Sequence, residues 1–220
     1  MAEPILEVED LTIQFQLKRG ALRAVDGVSF SIDRGETFGL VGESGSGKTV
    51  TARSIMRLVP MPPGQLVKGS VKYEGRDVYS MSNAEMRELR GTNIAMVFQE
   101  PMSALNPVFS VGAQITDALR TNLGMDAKFA RERCIELMSL VGIPSPEQRI
   151  DSYVHEFSGG MRQRVMLAMA LSCDPNFLIA DEPTTALDVT IQATILELIE
   201  SMIERFEMSL IFITHNLGVV

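Results

Sequence analysis

Gly42-Glu43-Ser44-Gly45-Ser46-Gly47-Lys48-Thr49 fits the pattern G-x-x-x-x-G-K-[ST] at every fixed position. Such a loop suits phosphate chemistry for backbone reasons. Gly42, Gly45 and Gly47 let the chain turn tightly with its N–H groups facing inward. Those donors and the start of the following helix cradle phosphate oxygens. Lys48 can reach the β- and γ-phosphates, and the Thr49 hydroxyl can take one position on Mg²⁺. The flanks supply the context. The short apolar run from Glu36 to Val41 is expected to be a buried strand. Val50 to Leu58 contains no Gly or Pro and is expected to be a helix, stopped by Pro60, Pro62 and Pro63. Strand, loop and helix together separate a nucleotide site from a chance glycine-rich turn.

Further candidates stand at the ends of other apolar runs. Phe177 to Ala180 leads into Asp181 and Glu182. A phosphate-loop enzyme needs an acid at the end of a neighbouring strand to hold Mg²⁺ and its water, and Asp181 fits that role. Glu182 is then placed to polarise an attacking water as general base. Taken alone, a strand ending in Asp-Glu is equally a solvated strand end. Gln99 follows Ile94–Phe98 and can bind the metal or the water. His215 follows the run from Ser209 to Ile213 and could sense the γ-phosphate, where the bland alternative is a structural hydrogen-bonder. Convergence of these strand ends on one edge favours the functional reading, because ligands bind at the carboxyl ends of parallel strands. Ser158-Gly159-Gly160 is a second anion site: a hydroxyl, exposed N–H groups and a helix start. One triphosphate seldom needs two, so this one is expected to serve the nucleotide of another subunit in a head-to-tail dimer. Phe15 is either the aromatic that lies on the adenine ring or a core phenylalanine.

The elements that must position these residues read as follows. Residues 5–17 alternate apolar and polar with a break near Asp10, and Ala24 to Ile32 alternates again after a turn at Lys18–Gly20. These early strands are expected to be antiparallel. Gly64 to Glu74 is another strand, and Ser82-Asn83-Ala84-Glu85 is a capping box opening a short helix. Between Pro101 and Phe157 the pattern is helical, with helices at Val111–Leu123 and Ala127–Val141. A helix runs from Ser158 to about Cys173, and Asp188 caps an amphipathic helix whose apolar stripe includes Ile191, Ile195, Ile199 and Met202. The expected fold is α/β: a phosphate-loop core with a mainly parallel sheet, an N-terminal antiparallel β-subdomain and an inserted helical subdomain. The core takes residues 1–100 and 158–220, and the helical subdomain 101–157.

With 220 residues, 45% of them hydrophobic, the chain can bury a large core. A net charge of −8 disfavours a protein whose task is gripping nucleic acid, which needs clustered Lys and Arg. Cys134 and Cys173 lack metal-ligand spacing and are expected to be reduced, buried thiols. The start Met-Ala-Glu-Pro-Ile has no basic region followed by an apolar run, so no signal peptide is expected. No apolar run approaches the roughly 18–20 residues that span a bilayer.

The motifs together resemble the ABC ATPases over essentially the whole chain. More narrowly, GESGSGKT, MVFQEPMSALNPV, FSGGMRQRVMLAMAL and ADEPTTALDVTIQ resemble the ATP-binding subunit of oligopeptide/dipeptide (peptide/nickel) importers. The resemblance implies ATP and Mg²⁺ as ligands, and hydrolysis that drives import of peptides or related solutes. It adds Asp188, in the Ala186-Leu187-Asp188 loop, to the nucleotide-binding residues. It implies a second ATPase subunit, identical or not, and two membrane permeases, with an external solute-binding protein engaged indirectly. The location implied is the cytoplasmic face of the inner membrane, with the helical subdomain receiving a permease helix and Gln99 linking that contact to the ATP site. The solute stays open among peptides, nickel, glutathione and oligosaccharides.

Three features depart from the family. Met161 stands where the signature LSGGQ has Gln, Asn216 stands where Asp is commoner after the switch histidine, and the family continues beyond Val220. The chain is therefore expected to be a fragment that exposes apolar surface at Leu210, Phe212, Leu217, Val219 and Val220. The alternatives are a soluble ABC-type ATPase uncoupled from transport, a truncated non-functional cassette, a non-catalytic nucleotide-binding subunit and a small-molecule kinase. Intact Lys48, Glu182 and Ser158–Gly160 argue against the last two.

Overall fold

The computed structural model describes residues 4–18, 20–185 and 188–216. The chain divides into two compact units, one of residues up to Arg90 together with the segment from Ser209, the other Gly91–Met208. The first unit contains β1 (Leu6–Leu17), β2 (Gly20–Ile32), β3 (Thr37–Val41), α1 (Lys48–Ile55), β4 (Gly64–Tyr73), β5 (Arg76–Asp77) and α2 (Asn83–Glu88). The second contains β6 (Ile94–Val97), α3 (Pro101–Ala104), α4 (Val111–Leu123), α5 (Ala127–Leu140), α6 (Pro146–Arg149), α7 (Gly159–Ala170), β7 (Phe177–Asp181) and α8 (Val189–Phe206). The last strand, β8 (Ser209–Thr214), returns to the first unit.

In the first unit β1 sits between β2 and β4, both antiparallel to it, with β5 beyond β4. The break at Asp10 is real: its φ is 49°, and both pairings of β1 shift register beside it. A bulge of this kind re-aims the alternation, so that Leu6, Val8, Leu11 and Ile13 all reach the core. The Ser82 box forms in full: its hydroxyl accepts from Glu85 N at 3.3 Å and the Glu85 carboxylate accepts from Ser82 N at 2.8 Å.

β3 and β8 pair in parallel, Thr37 opposite Leu210 through Val41 opposite Thr214. Two expectations fail in this pair. β3 is partly exposed along its length rather than buried, because β8 is its single strand partner among the described residues. One cover it does have is Phe30, whose ring stacks on Phe38 at 5.0 Å. By contrast every residue of β8 is buried, Leu210 and Phe212 included, at 3% and 7% exposure. Successive strand residues point to opposite faces, so β8 is covered on both. Leu217, Val219 and Val220 lie outside the described residues.

In the second unit β6 and β7 pair in parallel, Ile94 opposite Phe177 through Val97 opposite Ala180. Helices α4, α5 and α7 pack on one another, and Ile115, Leu119, Cys134, Leu137, Val165 and Leu167 on them are buried. Their ends follow from the sequence. Ser110 caps α4 by accepting from Ala113 N, and Gly124 closes it in the left-handed region (φ 67°). Asp126 caps α5 by accepting from Lys128 N and Phe129 N at 2.8 and 3.1 Å. Cys134 and Cys173 are free, buried thiols, and burial pushes the Cys134 thiol up to about 12.

Candidate functional site

The loop 42–49 lies in the first unit. β3 delivers Gly42, and α1 begins at Lys48 with Gly47 at the N-cap. Gly47 has φ 94°, and a Cβ there would collide with the Ala24 carbonyl oxygen. A Cβ on Gly42 would sit 2.9 Å from Ser46 Oγ and fill the loop. Gly45, at φ 82°, meets nothing but needs the left-handed conformation. Glu43, Ser44, Gly45 and Ser46 are exposed. Lys48 is buried at 8% exposure, and its Nζ donates to Gly42 O at 2.7 Å and Glu43 O at 2.8 Å. The loop thus already wraps a cation, holding it with neutral carbonyls that an anion can outcompete. These residues fit a nucleotide triphosphate. Thr49, in the first turn of α1, is partly exposed.

The β3–β8 register sets Val41 beside Thr214, so the loop and His215 leave adjacent strand ends. His215 is exposed there. Phe15, on β1 opposite Leu22 and Gly64, is partly exposed.

The carboxylates lie in the second unit. β7 is buried throughout and ends at Asp181, 1% exposed. The register of β6 against β7 brings the segment after Val97 beside the segment after Ala180. Gln99 Nε2 accordingly donates to Glu182 Oε2 at 3.2 Å across 83 positions of sequence. Thr185 Oγ1 donates to the same oxygen at 2.9 Å. Glu182 has φ 48°, a left-handed backbone rare for a non-glycine residue and often found at working sites. Sequence reasoning missed Thr185; the available signal was Glu-Pro-x-Thr, a turn that returns a hydroxyl to the glutamate.

Ser158 stands at the N-cap of α7 and accepts from Met161 N at 3.4 Å. Ser158 and Gly159 are exposed. Gly160 is buried, and a Cβ on it would lie 2.9 Å from Ile191 Cγ2 on α8. Asp188 occupies the N-cap position of α8 but makes no side-chain capping hydrogen bond; its exposed carboxylate stays in solvent. The adjoining Ala186 and Leu187 lie outside the described residues. Among the described residues no three acidic, Cys or His groups cluster as metal ligands. Mg²⁺ keeps several waters and uses one or two protein oxygens beside substrate phosphates. Thr49 hydroxyl and Asp181 carboxylate are oxygen donors of the required hardness. Among the described residues no helix is long and apolar enough to cross a membrane.

A phosphate-binding loop between a parallel strand and a helix, with an acid pair closing another parallel strand, defines a phosphate-loop nucleotide-binding domain. The family model described as ABC transporter matches residues 25–185, and the chain belongs to that family. The oligopeptide transport ATP-binding protein OppD of Bacillus subtilis is 54% identical over 216 residues, 98% of this chain and 60% of that protein. The dipeptide transport ATP-binding protein DppD of the same organism is 50% identical over 218 residues, 99% of this chain and 65% of that protein. The chain thus spans 60–65% of the length of these curated relatives. Among solved structures, the dimeric MJ0796, described as a bacterial ABC transporter cassette, superposes with TM-score 0.86 at 24% identity, covering 97% of this chain and 89% of that one. The structure of cbiO1 from Clostridium perfringens, described as part of the ABC transporter complex cbiONQ, gives TM-score 0.80 at 26% identity, covering 100% of this chain and 81% of that one. The α/β fold is that of the ABC cassettes.

Proposed function

We propose that the chain hydrolyses ATP and energises import of peptides or related small solutes through an ABC transporter. The observation that carries the chemistry is the Gln99–Glu182 hydrogen bond of 3.2 Å, which joins two strand ends around one carboxylate. Gly42, Glu43, Ser44, Gly45, Ser46 and Gly47 turn the loop around the β- and γ-phosphates, and Lys48 exchanges its two carbonyl partners for phosphate oxygens. Thr49, Asp181 and Gln99 would hold Mg²⁺, which would neutralise phosphate charge. Glu182 takes a proton from the water whose oxygen bonds to the γ-phosphorus as the bond to ADP breaks. His215 donates to the γ-phosphate, and Phe15 lies on the adenine ring. Ser158, Gly159 and Gly160 meet the nucleotide of a second ATPase subunit, with Asp188 at the same junction.

The relatives named as oligopeptide and dipeptide transport proteins support the choice of solute class. Two membrane permeases are the coupling partners, holding the subunit at the cytoplasmic face of the inner membrane, with a solute-binding protein acting from the other side. The second unit offers them apolar surface soon after Gln99. Val108 and Phe109 are exposed at 73% and 55%, and the Ser110–Tyr153 bridge sets exposed Tyr153 nearby.

Glu182→Gln tests the proposal. It keeps ATP binding and lowers steady-state turnover by about 10²–10⁴-fold. Turnover near that of the wild type would remove Glu182 from the reaction.

A further inference from the structure

A glutamate swivels about several single bonds, so one hydrogen bond leaves its carboxylate free to rotate about that contact. On Glu182, donors from two different segments meet at one oxygen: Thr185 Oγ1 at 2.9 Å and Gln99 Nε2 at 3.2 Å. The Thr185 donor is built by its own turn. Thr185 N donates to Glu182 O at 3.2 Å, and Pro183 follows Glu182 at the position where its fixed φ favours a turn. Pro183 and Thr184 are buried, so the turn is packed in place. Gln99 is exposed and has a competing task as metal or water ligand.

We infer that Thr185 is a positioning residue for hydrolysis: its hydroxyl holds the Glu182 carboxylate in the orientation from which it accepts the proton of the attacking water. Thr185 acts through Glu182, so the inference rests on Glu182 being the general base. The hydroxyl matters, and the bulk of the side chain does not. When Gln99 turns to the metal or the water, Thr185 keeps the carboxylate from swinging out of line.

The experiment compares Thr185→Val, Thr185→Ser and Glu182→Gln in the 220-residue chain by kcat and KM for MgATP, with thermal unfolding as the folding control. Thr185→Val keeps the shape and loses the donor; kcat falls about tenfold while KM stays within about twofold. Thr185→Ser restores kcat to within about twofold of the wild type. In the Glu182→Gln background Thr185→Val has no further effect, because both changes act through one group. If Thr185→Val does not fold, Thr185→Ala replaces it, with the same rescue by Ser. Wild-type kcat in Thr185→Val, or a Ser variant as slow as Val, overturns the positioning role. A Glu182→Gln variant with normal turnover overturns the general-base reading and this inference with it. An inactive Glu182→Gln beside a normal Thr185→Val overturns the role of Thr185 alone.

Discussion

Gly160 and Ile191 occupy one close approach between α7 and α8: a Cβ on the glycine would sit 2.9 Å from Ile191 Cγ2. Ser158, two residues before Gly160, opens α7, and Ile191 lies in the first turn of α8, soon after the Glu182 turn. The glycine therefore has a packing task inside its own chain, beside the proposed contact with nucleotide.

The two tasks separate in a double mutant. Gly160→Ala overfills the approach and costs about 1–3 kcal/mol in denaturant unfolding. Ile191→Ala removes the opposing methyl groups, so the pair is less destabilised than the sum of the singles by about 0.5–2 kcal/mol. Strict additivity would mean that the helices separate freely and that the approach carries no stability. If the double mutant folds and still fails to hydrolyse ATP, the glycine also serves the nucleotide.

Ser158 acts across a dimer in the proposed function. Ser158→Arg then leaves ATP binding by one chain intact and blocks turnover, and Lys48→Ala fails to bind. An equal mixture of the two regains about one working site per mixed dimer, since one composite site keeps both wild-type halves. Absence of rescue at every mixing ratio would count against assembly in trans.

Cys134 gives a pH dependence. Burial pushes its thiol from 9.0 up to about 12, so the folded state disfavours the thiolate. The unfolded chain loses that proton first as pH rises. The stabilisation is therefore fully present below pH 9 and is lost progressively between pH 9 and about 12. Cys134→Ala lowers Tm by a small cavity cost at neutral pH and flattens the fall of Tm above pH 9. Parallel Tm curves for the two proteins would show that the thiol does not contribute.

Much of this protein is written locally. The phosphate loop is a run of eight residues whose chemistry lies in its own backbone, and Gly47 at φ 94° needs no distant partner to be recognised. α4 has the expected limits because Ser110 and Gly124 satisfy its end groups from adjacent positions. The break at Asp10 and the Ser82 box are equally local. Other features come from strand register. Gln99 meets Glu182 because Val97 lies opposite Ala180, and His215 leaves beside the loop because Val41 lies opposite Thr214. Register is a collective outcome of pairing and burial that no short stretch encodes. Burial is collective in the same way. Thr37–Val41 and Ser209–Thr214 are similar apolar runs, yet the first stays half-exposed and the second is wholly buried. The tertiary structure also turned Gly160 into a packing glycine and brought the Thr185 hydroxyl to the Glu182 carboxylate. Both depend on which atoms lie across a gap of a few ångströms, and side-chain distances are decided by the packing of the whole unit.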